Sequence, residues 1–303
     1  MGSYRLITYR DDTGPQAGVV FGNHYFAAAT ALKSQSYASV RSILDDWDTC
    51  APLLSAIADG EQQGGRPLAS ATLLSPIVWP GTIYCAGANY SDHMANMARK
   101  LGIPPEPDPH ELGLSPWHFI KSSACVVGTG SKVKLESNFL DWEGELGIVM
   151  GRRARHVSLA RAFDYVAGYV IGNDLSARDR MARDKVDVSS PFKFDWIGQK
   201  NFDGACPLGP WIVPRDEIKD VQALGIRTLV NDEVKQDSNT SKMLFTAAEQ
   251  ICYLSSRITL HPGDVILTGT PAGVGAETGE SLKRGDTVCV EIEGIGALTT
   301  EIV

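Results

Sequence analysis

The sequence predicts a mostly β fold with some α, arranged as a small N-terminal α+β domain ahead of a larger β-rich one. Three observations carry that expectation. Beyond Pro80, apolar runs such as TIYCAGA, CVVG, LGIVMG, YVAGYVIGND, GPWIVP and DVILTG are separated by Gly and Pro, as strands bounded by turns are. Few segments show the 3.6-residue apolar period of a helix. The texture also breaks at EQQGGRP, so we place a boundary within residues 61–76 and divide the chain into 1–75 and 76–303.

In chain order, YRLITYR, QAGVVF and HYFAAA read as strands joined by DDTG and GN turns. SVRSILDDW and APLLSAIADG read as short helices, the second capped by Asp48 or Thr49 and closed by Gly60. SDHMANMARKLG predicts a helix with an apolar stripe at Met94, Met97 and Leu101 and a stop at Gly102. The Pro-rich stretch 103–116 suits neither helix nor central strand, and the aromatic residues that follow it suggest a lid over a site. KMLFTAAEQICYLSSR, preceded by the cap-friendly DSNTS, predicts a second long helix, and DTVCVEIEGIGALTTEIV a terminal hairpin.

Composition narrows the partners. The net charge of −8, with no basic run, argues against nucleic acid and anionic membrane and leaves a small molecule as the expected ligand. Six cysteines without a CxxC pair suggest neither a zinc knuckle nor a disulfide framework. MGSYRLITYRDD lacks the apolar core of a signal peptide, and no apolar run approaches a membrane span, so the expected compartment is the cytoplasm.

The stretch LDWEGELGIVM places Glu143 and Glu145 two apart on a strand-like run, where alternate side chains share a face. Like charges so close repel unless a positive group lies between them. A solvated edge strand is the plain explanation. The alternative adds Asp174, which directly follows the apolar run YVIGN. Three carboxylates make an all-oxygen set suited to a hard divalent cation, Mg²⁺ or Mn²⁺. Neither GTGSK nor GVGAETG has the spacing of a phosphate-binding loop, and no GxSxG elbow is present.

GANYSDH, LDWEGELGIVMG, GYVIGNDLSARD, GQKNFDGACPLGPWIV and HPGDVILTGTPAGVG follow one another in an order that resembles the fumarylacetoacetate hydrolase family. The resemblance spans residues 80–303 and is nearest the branch of acylpyruvate hydrolases, oxaloacetate decarboxylases and 2-hydroxyhepta-2,4-diene-1,7-dioate isomerases. It implies a mixed-sheet β-roll with the site at its open end, pairing as a homodimer. It assigns Glu143, Glu145 and Asp174 as metal ligands and Arg178 as the partner of the substrate's anionic end. Lys200 falls beside the metal, which would lower its pKa, and Thr270 on a loop that holds the substrate carboxylate. Lys121 is a weaker candidate for anion contact, and His93 the candidate base.

At one place the chain departs from this pattern. Hydrolytic members carry a Glu three residues after the His, one helical turn away, and here that position is Asn96. Either Glu106, His110 or Glu111 of the lid supplies the missing group, or the reaction needs no strongly activated water. The expected activity is metal-dependent hydrolysis of a C–C bond in an acylpyruvate or related 1,3-diketo acid, through an enolate that the cation stabilises. Oxaloacetate decarboxylation, dienedioate isomerisation and a non-catalytic binding role are the alternatives.

Overall fold

Three N-terminal strands, β1 (Arg5–Asp11), β2 (Gly14–Phe21) and β3 (His24–Ala27), form the expected antiparallel meander. The computed structural model describes residues 2–60 and 63–303; Glu61 and Gln62, at the head of the expected linker, lie outside the described residues. Helix α1 (Val40–Asp45) starts in a capping box, the Ser39 hydroxyl accepting from the Ser42 N–H and the Ser42 hydroxyl from the Ser39 N–H. Helix α2 (Trp47–Ala58) begins four residues before the expected APLLSAIADG segment, which leaves Asp48 in its first turn rather than at its cap.

The remainder supplies β4 (Ile83–Ala86), α3 (Ser91–Leu101), β5 (His118–Lys121), β6 (Gly144–Met150), β7 (Val166–Asn173), α4 (Trp196–Lys200) and β8 (Cys206–Pro214). After these come β9 (Gly225–Val230), β10 (Glu233–Asn239), α5 (Ala247–Arg257), β11 (Val265–Leu267), α6 (Gly275–Thr278), β12 (Thr287–Ile292) and β13 (Gly296–Ile302). The large sheet runs in the order β3, β2, β1, β8, β7, β6, β11, β4, β5 and is mixed, since β11 and β4 pair in parallel. A smaller sheet orders β10, β9, β12, β13 and Ser131–Val133, with β12 and β13 as the terminal hairpin.

β1 pairs with β8 at Leu6 and Ile212, so the N-terminal meander extends the large sheet. Leu6, Val19, Ile43, Leu44 and Trp47 share one apolar cluster with Ile83, Val149, Val170 and Leu267. The segment 1–75 therefore has most of its core in common with 76–303, because its own few strands and short helices enclose too little apolar surface. Among the described residues no helix is long and apolar enough to cross a membrane, and the six cysteines are free thiols.

Two further expectations are corrected here. Of the two readings of the E-x-E run, the solvated edge strand is the one excluded: β6 lies between β7 and β11, its seven residues are buried, and so is Glu143. Helix α5 starts at Ala247 rather than near Lys242. The Thr246 hydroxyl accepts from the Glu249 N–H, and the Glu249 carboxylate accepts from the Thr246 N–H. Leu244 and Phe245 instead lie in a bend held by Asn89, whose carbonyl and Oδ1 take their backbone N–H groups at 2.8 Å each.

Candidate active site

The floor of the site is built where β6 and β7 begin and end together. The Glu143 N–H donates to Asn173 Oδ1 at 3.1 Å and the Asp174 N–H to the Glu143 carbonyl at 2.9 Å, which ties the two strand ends. The residue between the two glutamates is Gly for lack of space, since a Cβ there would lie 2.3 Å from Thr228 Oγ1. Glu143, Glu145 and Asp174 are buried and offer carboxylate oxygens all within 4.8 Å of one another.

Cations surround two of the three carboxylates. Lys200 Nζ donates to Glu143 Oε2 at 2.9 Å and to Asp174 Oδ2 at 2.7 Å. Lys121 Nζ donates to Asp174 Oδ1 at 2.5 Å. Arg178 donates from Nη2 to Glu143 and from Nε to Asp141 Oδ2, the latter at 2.9 Å. Burial raises the pKa of Glu143, but Lys200 and Arg178 outweigh it and hold the group down at about 2.

Glu145 differs. One oxygen accepts from the Gly269 N–H at 2.7 Å, while Oε1, fully buried, has no hydrogen-bond partner. Burial, then the Asp174 and Glu143 carboxylates, push its pKa well above the ordinary value. With Asp141 the cluster holds four carboxylates against three cationic side chains, so it is one positive charge short when all are ionised. A divalent cation held by Glu143, Glu145 and Asp174 fits this set. It would give the buried Glu145 Oε1 a partner and leave a surplus charge of plus one for a substrate carboxylate.

The second half of the site is borne on a helix and a loop. His93 of α3 places Nδ1 2.5 Å from Glu277 Oε1, and Asn96 Nδ2 donates to Glu277 Oε2 at 2.7 Å. The carboxylate absent one turn along the helix is thus supplied from α6. Glu106, His110 and Glu111 do not supply it. His110 bonds Asp108 at 2.9 Å and Glu249 at 2.9 Å, and thereby fastens the 103–116 loop to α5. Burial raises the pKa of Glu277, and the hydrogen bonds from His93 and Asn96 more than offset this, leaving it below the ordinary value.

Local chemistry explains why Glu277 arrives there. Gly273 has φ +102°, and a Cβ on it would meet the Lys235 carbonyl oxygen at 2.0 Å, so only glycine turns the chain at that point. Asp141 then accepts from the Gly275 N–H at 2.6 Å and the Ala276 N–H at 2.9 Å, pinning the start of α6. Since Asp141 also takes Arg178, one buried carboxylate joins the two halves.

A cavity of about 190 Å³ lies between them, lined among others by His93, Glu143, Arg178, Lys200 and Thr270 and walled by Trp117, Phe119 and Trp196. Of the residues singled out in the sequence, these five meet there, and Glu145 and Asp174 lie beneath. Lys121 does not line the cavity. Its side chain is fully buried, spent on Asp174 and the Leu175 carbonyl, so it buttresses a carboxylate instead of meeting a ligand. The Thr270 hydroxyl donates to the Gly144 carbonyl at 3.0 Å and accepts from Gln236, an engagement that fixes the TGTP loop. Burial disfavours the charged form of Lys200, but Asp174 and Glu143 prevail and raise its pKa; the lowering expected beside a bound cation is a separate effect.

Three contributors escaped the sequence reading: Glu277, Asp141 and Gln199. The signal for Glu277 is the glycine-rich GVGAETG, which matches no nucleotide loop. Gln199 lines the cavity with a buried, unpartnered Oε1, and its signal was its place beside Lys200.

A buried acidic triad with lysine and arginine partners, facing a cavity with a histidine–carboxylate pair, defines an enzyme site. The chain belongs to the fumarylacetoacetate hydrolase family, whose C-terminal domain profile matches residues 82–303. It is 37% identical over 241 residues to the oxaloacetate tautomerase FAHD2B, mitochondrial, of Homo sapiens, covering 78% of this chain and 71% of that protein. The crystal structure of 2-hydroxyhepta-2,4-diene-1,7-dioate isomerase from Mycobacterium marinum has 32% identity and a TM-score of 0.70, covering 99% of this chain and 98% of the other. Maleylpyruvate hydrolase from Sphingobium sp. SYK-6, solved with manganese(II) and pyruvate, has 25% identity and a TM-score of 0.74 over 99% and 98% of the two chains.

Proposed function

We propose that the protein is a divalent-metal-dependent hydrolase that cleaves the C–C bond of an acylpyruvate or related 1,3-diketo acid. The observation that carries this reading is the His93–Glu277 contact at 2.5 Å. Decarboxylation of oxaloacetate needs no activated water, whereas hydrolysis needs a base, and an imidazole anchored on a carboxylate is one. When bound by Glu143, Glu145 and Asp174, Mg²⁺ or Mn²⁺ would supply Lewis-acid stabilisation of the enolate charge.

The chain's own groups divide the remaining work. Arg178 and Lys200 present positive charge to the substrate carboxylate. Glu277 holds His93 through Nδ1, leaving Nε2 to take a proton from water. That water attacks the distal carbonyl, the C–C bond breaks, and Nε2–H can return its proton to the pyruvate carbon. Trp117, Phe119 and Trp196 wall the cavity and keep bulk water from the enolate.

A second reading is 2-oxo acid tautomerase or isomerase activity, favoured by the same proton-carrying imidazole and by the tautomerase and isomerase names of the relatives. Chelator-stripped protein, given Mg²⁺ or Mn²⁺ and offered acylpyruvates, oxaloacetate and a dienedioate, separates the readings. Pyruvate plus a free acid marks the hydrolase, CO₂ a decarboxylase, and an absorbance change without fragmentation an isomerase.

We further assign the chain to homodimers in the cytoplasm. Val188, Phe192, Phe194 and Ile197 are exposed apolar side chains close together in the sequence and suited to cover by a second copy, and free thiols suit a reducing compartment. Light scattering at the mass of one chain would remove the dimer.

A further inference from the structure

A second cavity, of about 390 Å³, opens beside the first and is within the usual size of small-molecule sites. The two share Gly87, Ala88 and Trp117 as lining residues, so the larger space adjoins the one above the carboxylate floor. Its other walls are Met94 of α3, Pro105, Leu112 and Leu114 of the 103–116 loop, and Leu244 and Phe245 ahead of α5. Leu112 and Leu114 are more than half exposed, an arrangement that leaves apolar surface uncovered on a loop otherwise fastened to the body.

Charge points the same way as packing. Among the described residues no lysine, arginine or histidine lines this cavity, and its two ionisable walls, Glu106 and Asp108, are acidic. Lys121, Lys200 and Arg178 are all committed at the carboxylate floor. A second carboxylate at the far end of a substrate would enter apolar walls, lose its water and face two negative groups without a cationic partner.

Resting on the acylpyruvate reading above, we infer that the larger cavity binds the acyl arm and that the preferred substrates carry an uncharged alkyl or aryl arm rather than a distal carboxylate. A Cβ on Gly87 would lie 1.9 Å from the Trp117 ring, so the indole packs flush on the backbone where the two spaces adjoin.

The test uses Mg²⁺-loaded protein and 2,4-dioxo acids that differ only in the arm: methyl, butyl, phenyl, and a carboxylated arm of butyl length. KM and calorimetric Kd are read for each, with oxalate as a ligand of the metal floor alone. The affinity should rise about threefold to fourfold per added methylene, and the carboxylated acid should bind at least about tenfold more weakly than butyl. Leu114→Lys should reverse that last preference while oxalate affinity stays the same. Equal or tighter binding of the carboxylated acid, with oxalate binding intact, overturns the arm assignment and leaves the metal site standing. Failure of oxalate to bind in a metal-dependent manner overturns the acylpyruvate reading, and the arm assignment falls with it.

Discussion

The two halves of the site are held in different ways. At the strand-built floor every carboxylate but Glu145 has two or more donors, and Asp141 accepts four hydrogen bonds. At the helix–loop edge, His93 depends on one oxygen of Glu277, a residue set on a single four-residue turn of helix. The floor is thus preorganised by redundancy, with one vacancy of charge at Glu145. At the edge the Glu277 carboxylate is held by Asn96 and the Gly273 N–H, but the chemistry rests on its single contact with His93. Damage to the floor should abolish function, whereas damage to the edge should tune it.

The largest effect is expected where the floor lacks a cation. Glu145→Gln removes the unpartnered carboxylate, and both metal affinity, by calorimetry, and metal-dependent turnover should fall more than about 100-fold, beyond what loss of a residue supporting a ligand costs. Retained metal affinity would erase the contrast between the halves. At the edge, Glu277→Gln should lower kcat by about 100-fold, the lower range for a general base, with metal and oxalate affinity preserved. Asn96→Glu alone sets a second carboxylate against Glu277 and should reduce activity. In the Glu277→Gln chain it restores the orienting charge from one helical turn away and should recover part of the rate. Absence of that recovery would show that Glu277 acts on the loop and not on the imidazole.

Smaller effects concern stability. Gly144→Ala forces a Cβ against Thr228 and should cost about 1–3 kcal/mol in denaturant titrations. His118 lies on β5, three residues before Lys121, stacked on Tyr253, and burial lowers its pKa to about 4. A histidine with a depressed folded pKa contributes full stability above its unfolded value, about 6.5, and loses it as pH falls towards 4. Melting temperature should therefore drop across that window by the equivalent of up to about 3 kcal/mol, and His118→Gln should flatten the drop.

The floor was legible in the sequence because its ligands sit in short contiguous motifs at strand ends, where E-x-E and N-D are read directly. The strands themselves were legible from apolar runs and the terminal hairpin from its glycine turn. The burial of β6 was not, because one of the two strands that flank it, β11, comes from a distant part of the chain. Glu277 was hidden for the same physical reason. It meets His93 across 184 residues, through a turn fixed by Gly273 and a carboxylate, Asp141, whose role appears only when α6 is folded. The start of helix α5 is masked by an apolar stripe that continues back to Leu244, while the capping box at Thr246 decides where the helix begins. The shared core of the N-terminal segment was concealed by a local change in composition that carries no information on strand pairing.

The most direct test of the central claim is acylpyruvate cleavage by native and Glu277→Gln protein, each chelator-stripped and then given Mg²⁺, with pyruvate and the released acid measured together across pH. The account predicts cleavage that requires the metal and yields the two products in equal amounts. It also predicts that Glu277→Gln lowers kcat about 100-fold and displaces the acid limb of the profile while oxalate affinity holds. Turnover of oxaloacetate to CO₂ with acylpyruvates untouched, or a Glu277→Gln profile that superimposes on the native one, would contradict it.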